Sequence, residues 1–202
     1  MKNYISINGQ KIELTDKQID EIKSSFGVPV VRLRDVKPGG TVKIGEHEMV
    51  VLEHSKDTTA LIRKNLLKKQ TFGDNNNYNG SNVDATCNKF AEEIAAIVGE
   101  KNVFEHTVDL TSDDGLKDYG SISRKASLLT ADLYRRYVQI LDTCKPSAWW
   151  WLATPYSTPT HENSTWIKCV APAGYIFSGD CDGGGRGVRP FCILNSDIFV
   201  SN

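Results

Sequence analysis

An α+β fold is what this sequence predicts, and three observations carry the prediction. Two stretches place apolar residues at helical spacing, a series of short alternating runs is broken by Gly and Pro, and a tryptophan block leads to a glycine-rich loop. The 202 residues suffice for one sizeable core plus a small appendage. With 40% hydrophobic and 24% charged residues spread along the chain, no tract is too polar to fold.

Taken in order, Tyr4-Ile5-Ser6-Ile7 and Lys11-Ile12-Glu13-Leu14 alternate around Asn8-Gly9, a strong short-range hairpin signal. Thr15 reads as a helix N-cap with Gln18 three residues on. Ile19, Ile22 and Phe26 form one stripe, and Gly27 and Pro29 end it. Residues 1–29 are therefore expected to be a ββα arm, and 30–202 the main domain.

The main domain opens with strands at Val30–Leu33, Thr41–Ile44, Met49–Glu53 and Thr59–Ile62, joined by turns such as Lys37-Pro38-Gly39-Gly40. Residues 73–82 hold five asparagines and are expected to be an exposed, irregular loop. A helix capped by Ser81 follows, with Val83, Cys87, Phe90, Ile94 and Ile97 facing inward before Gly99. A second starts at Thr130, buries Leu133, Tyr137, Ile140 and Leu141, and ends before Pro146. Short strands are expected at Trp149–Leu152, Trp166–Ala171, Tyr175–Phe177 and Phe191–Leu194.

Charge and cysteine usage exclude several function classes. Twenty-four Lys and Arg against 25 Asp and Glu give a formal net charge of −1, so no global field recruits nucleic acid or an anionic membrane. The basic run from Arg63-Lys64 to Lys68-Lys69 reads as a solvated surface stretch. The first residues lack the apolar core of a secretory signal, and no stretch approaches the ~20 apolar residues of a membrane span. The chain is expected to be cytoplasmic as synthesised, or virion-associated, with all five cysteines reduced.

Candidate sites concentrate in the C-terminal quarter. Arg189, between Val188 and Pro190, is expected to be structural, with Asp180 and Asp182 as the nearest partners for its guanidinium. The stretch from Gly179 to Gly187 offers only two carboxylates where calcium takes roughly six to eight oxygens, and no Lys-Ser or Lys-Thr follows its glycines. It is expected to be a flexible connection, with neither metal nor cofactor. The four histidines lie far apart, outside any zinc motif. Residues 156–166, polar with aromatic ends, have the composition of an adaptable recognition loop.

Three segments, Ser127-Leu128-Leu129-Thr130, Trp150-Trp151-Leu152-Ala153-Thr154-Pro155 and Gly187-Val188-Arg189-Pro190, together resemble an uncharacterised family of Gram-positive bacteria and their phages. Its members show an FLLS start, a WWLRSPG block and a GVRPALWL ending, in the same order over roughly residues 30 to 195. That family resembles in turn the C-type-lectin-like fold of formylglycine-generating enzymes and of the variable proteins of diversity-generating retroelements. Two positions depart from the pattern: Ala153 stands where Arg is usual, and Tyr156 where Gly is usual.

The resemblance implies a C-type-lectin-like α+β domain, phage or prophage encoded, whose loops bind a protein or a glycan without catalysis. Trp151 and Trp166 are the expected aromatic anchors, with Tyr156, His161, Asp180, Asp182 and Arg186 as further ligand-binding residues and Trp150 structural. The arm is expected to attach the domain to something else, a second copy included. Two other readings stay open: an intracellular phage protein that inhibits a host factor, and a cysteine- or metal-dependent enzyme of formylglycine-generating type, for which Cys169, Cys181 and Cys192 are the candidates.

Overall fold

The computed structural model describes residues 3–7, 10–25 and 30–201. The chain starts with strands β1 (Asn3–Ile7) and β2 (Gln10–Leu14) and helix α1 (Asp16–Ser25). Then come β3 (Val30–Arg32), β4 (Thr41–Ile44), β5 (His47–His54), β6 (Thr58–Arg63) and β7 (Lys68–Lys69), followed by helix α2 (Asn82–Val98). Four short strands, β8 (Val103–Phe104), β9 (His106–Asp109), β10 (Ser121–Arg124) and β11 (Ala126–Ser127), precede helix α3 (Ala131–Leu141). The last third is β12 (Trp150–Pro155), β13 (Trp166–Val170), β14 (Ile176–Asp180), β15 (Gly187–Val188), β16 (Phe191–Asn195) and β17 (Phe199–Ser201). This is a mixed α+β fold.

In the arm, Ile7 pairs with Gln10, so β1 and β2 are joined by two residues. That turn, Asn8-Gly9, and the expected helix stop from Phe26 to Pro29 lie outside the described residues. The cap is in place: the Gln18 side chain accepts from the Thr15 backbone N–H at 2.9 Å, and the Thr15 hydroxyl accepts from the Gln18 N–H at 3.3 Å. Such reciprocal capping contributes about 1 kcal/mol to a helix start.

Two main sheets and a separate two-stranded β9–β10 pair form the rest. The larger has the order β11-β16-β6-β5-β4-β17-β3, with β8 also on β16; the smaller has the order β14-β13-β12-β15-β7. Pairing is antiparallel apart from β12 beside β15, where Trp150 lies opposite Gly187. Strand alternation then sorts side chains into layers. Met49, Val51 and Leu61 face α2, where Phe90 and Ile94 meet them. Val50, Leu52 and Ile62 face the other way, onto Tyr134 and Leu141 of α3 and onto Trp150. On β12 the same alternation sends Trp150 toward α3 and Trp151 to the opposite side, against Phe72, Tyr78 and Ile167.

Both main helices begin where the sequence places them. The Ser81 hydroxyl accepts from the Asp84 N–H at 3.1 Å and the Thr130 hydroxyl from the Leu133 N–H at 3.2 Å. Gly99 ends α2 at φ 88°, backbone that favours glycine. Ile97, expected inward, is 51% exposed and lies instead against the turn at Gly45. No helix among the described residues is long and apolar enough to cross a membrane.

The asparagine-rich segment corrects a second expectation. The segment is irregular, with Asp74, Asn75, Asn79, Gly80 and Asn82 exposed as expected, but it buries Asn76 and Tyr78 completely. Tyr78 fills the core beside Phe72, with its hydroxyl accepting the Leu128 N–H at 3.2 Å.

Candidate functional site

The segment from Tyr156 to Trp166 leaves the end of β12 and returns at the start of β13. Its neck is closed by the Tyr156 N–H, which donates to the Trp166 carbonyl at 3.0 Å. Beneath it lies Asn76. Its Nδ2 donates to the Trp166 carbonyl at 2.8 Å and to the Ser157 carbonyl at 3.0 Å, and its Oδ1 accepts from the Tyr119 hydroxyl at 2.7 Å. The Asn76 backbone N–H donates to the Ser164 carbonyl at 2.7 Å. A buried amide with all these groups satisfied holds the backbone around it in one geometry.

A second set of contacts ties the far side of the segment to residues 112–118. Asp114 accepts from the hydroxyls of Ser112 and Ser157, at 2.5 and 2.6 Å, and from Nδ1 of His161 at 2.9 Å. Asp118 accepts from the hydroxyls of Thr158 and Thr160, both at 2.7 Å. These donors stabilise the ionised carboxylates. The Ser112 hydroxyl, then Ser157 and His161, hold Asp114 well below the usual carboxylate range, and Thr160 with Thr158 lowers Asp118. At Asp113, burial pulls the value up, but Lys168 and Arg135 outweigh it.

What this lattice presents is a pair of rings. Tyr156 is 43% exposed and Trp166 46%, with ring centroids 5.8 Å apart at a tilt of 56°. Lys168 stands over the Tyr156 ring, its Nζ 5.6 Å from the centroid and 3.0 Å from Asp113. His161 is exposed at the rim, beside Glu162, which has a left-handed φ of 55°. Asp180 pairs with Trp166 across β13 and β14 and is exposed.

The remaining expected residues lie elsewhere. Trp151 is fully buried, its Nε1 donating to the Gln70 carbonyl at 3.0 Å and its ring meeting Phe72 edge-on. Alternation along β12 turns it into the core, so the expectation of an exposed anchor at Trp151 is corrected. Arg186 stacks on the Trp151 ring at 4.6 Å and donates to the carbonyls of Asp180 and Gly183. It also covers Gly179 on the face of β14 opposite Trp166, so it does not join Tyr156 and Trp166. Asp182 is exposed on the glycine loop.

Arg189 is buried at 0% exposure, but its partners differ from those expected. Nε donates to the Arg63 carbonyl at 2.8 Å and Nη2 to the Cys144 carbonyl at 3.0 Å, while the guanidinium lies over Trp150 at 5.2 Å. Neither Asp180 nor Asp182 is among its hydrogen-bond partners. Trp150 is 1% exposed.

Sequence reading missed a second aromatic cluster. Tyr175 and Phe177 are 55% and 53% exposed, and each meets Trp149 edge-on, at 6.0 and 5.7 Å. Their i, i+2 spacing, which puts both on one side of a strand, was the available signal. Four thiols are buried; burial pushes Cys87 and Cys192 up to about 12 and raises Cys169 and Cys181 as well. A thiolate nucleophile needs the reverse shift. Among the described residues no three His, Cys, Asp or Glu side chains are grouped to hold a metal ion. Comparison with protein-family models, curated proteins and solved structures gives no match.

Proposed function

We propose that this chain is a recognition module of C-type-lectin-like architecture that binds a protein or a glycan through the face formed by Tyr156, Trp166 and His161. One observation carries the reading: two large rings stand nearly half exposed on a backbone fixed from below by the fully buried Asn76. Solvent-exposed Trp and Tyr cost hydration free energy that a partner recovers, and rings held in place lose little entropy on binding. Asp113 and Asp180 near the rings supply a polar rim that sets orientation, and the buried Lys168 braces the Tyr156 ring.

The lectin-like architecture and a phage or prophage source rest on the resemblance of the Trp150–Pro155 and Gly187–Pro190 segments. A catalytic reading through Cys169, Cys181 or Cys192 is weakened by their burial, which suppresses the thiolate. The test is a screen of the whole chain on glycan arrays and immobilised bacterial surface proteins, run beside Trp166→Ala. Ligands retained by the parent and lost by the variant support the proposal. Equal capture by both refutes it.

A further inference from the structure

The half-buried Cys144 closes the short turn after α3, at Asp142–Cys144, and its sulfur touches the fully buried Arg189. Nη2 of Arg189 donates to Sγ at 3.2 Å as well as to the Cys144 carbonyl, and the thiol proton is directed to the Ile140 carbonyl at 3.6 Å. A guanidinium taken out of water demands a counter-charge. The hydrogen bonds of Arg189 go to carbonyls and to this sulfur, and to no carboxylate among the described residues. The other ionisable groups nearby are Tyr134, whose hydroxyl donates to the Gly174 carbonyl, and Asp142, 3.4 Å from Lys145.

A second observation points to what the sulfur takes on. Nη1, on the same planar fork as Nη2, is buried and has no hydrogen-bond partner among the described residues. An unused donor on a buried guanidinium whose neighbouring nitrogen already holds the sulfur of a half-buried cysteine is a seat for an oxygen on that sulfur.

We propose that Cys144 is a peroxide-reactive thiol that is oxidised to sulfenic acid, with the gained oxygen accepting a hydrogen bond from Nη1 of Arg189. The sulfur attacks one oxygen of hydrogen peroxide: an S–O bond forms and the O–O bond breaks. Sulfur is oxidised by two electrons, and the departing hydroxide takes up the thiol proton and leaves as water. The Arg189 cation stabilises the negative charge that develops on the departing oxygen as the O–O bond breaks. It is held in place by the Arg63 carbonyl and the Trp150 ring.

The experiment treats the whole folded chain with hydrogen peroxide, traps sulfenic acid with dimedone, and reads the site and rate by peptide mass spectrometry, with N-acetylcysteine as reference. Cys144 should form the adduct about tenfold or more faster than the free thiol, since exposure alone cannot exceed the free rate. A rate equal to or below that of N-acetylcysteine overturns the proposal. Arg189→Lys should bring the rate down to the free-thiol value, and an unchanged rate overturns it. Cys144→Ser, at a half-buried position, should abolish the fast adduct; its persistence overturns the assignment. If Arg189→Lys does not fold, the parent rate still decides.

Discussion

The fully buried side chain of Asn76 carries the backbone of the exposed Trp166, with Nδ2 2.8 Å from the Trp166 carbonyl. A polar loop some 90 residues upstream thereby fixes where the indole stands. Asn76→Ala would strip the Trp166 and Ser157 carbonyls and the Tyr119 hydroxyl of their partner. The expected cost is about 3 kcal/mol, read by urea unfolding, together with weaker binding of any captured ligand. A loss below about 1 kcal/mol would contradict the clamp.

Asp84 anchors the other end of the same loop. It is 2% exposed, receives Nε and Nη2 of Arg124 at 2.8 and 2.7 Å, and accepts the Gly80 N–H at 2.9 Å. Arg124→Ala leaves a buried carboxylate without its cation and should cost about 3 kcal/mol. Asp84→Asn, which keeps an acceptor for Gly80, should cost less. Chemical denaturation of the two variants checks the order, and a reversed order would show that the charge pair is not what holds the loop.

Acid should weaken the fold in two steps. Burial pulls His106 down from 6.5 to about 4; its Nε2 meets the Ser127 hydroxyl at 2.8 Å and its ring meets Phe191 edge-on at 5.0 Å. A depressed folded-state value means that the unfolded chain binds the proton first. The stability held above pH 6.5 is therefore lost as pH falls toward about 4, to the extent of about 3 kcal/mol. His47, lowered first by burial, adds in the same direction. Below that range the lowered carboxylates of Asp114, Asp118 and Asp113 take up protons only after their unfolded counterparts, so the loss continues. His106→Gln should flatten the upper limb of a stability-against-pH curve while leaving the lower limb; an unchanged upper limb would count against the assignment.

The helices were legible because their signals are local: Ser81, Thr130 and Gly99 act within one turn, and the stripes of α2 and α3 run through contiguous sequence. Strands β4, β5 and β6 were legible as short, β-branched-rich apolar runs set off by turns. Strands of two to four residues such as β8 and β10 carry too little pattern to register, and they exist because a neighbour offers its edge. The site was less legible for a related reason. Asparagine looks alike in a solvated turn and in a saturated buried network, and partners 43 to 90 positions away distinguish the two for Asn76. The partners of Arg189 likewise come from Arg63 and Cys144, 126 and 45 positions away, whereas proximity in sequence suggested the neighbouring aspartates. The Trp149–Trp150–Trp151 run shows the limit of composition: adjacency placed the rings together in sequence, and strand alternation sent Trp150 and Trp151 to opposite sides.

Two exposed aromatic groups compete for the role of contact surface, Tyr156 with Trp166 and Tyr175 with Phe177. The most direct measurement is the dissociation constant of a captured ligand for the double variant Tyr156→Ala/Trp166→Ala against Tyr175→Ala/Phe177→Ala, with circular dichroism to verify that both remain folded. Truncating a central aromatic anchor typically costs 2 kcal/mol or more, so the first variant should bind at least about thirtyfold more weakly and the second within about threefold of the parent. Unchanged affinity in the first variant, or a loss confined to the second, would contradict the account.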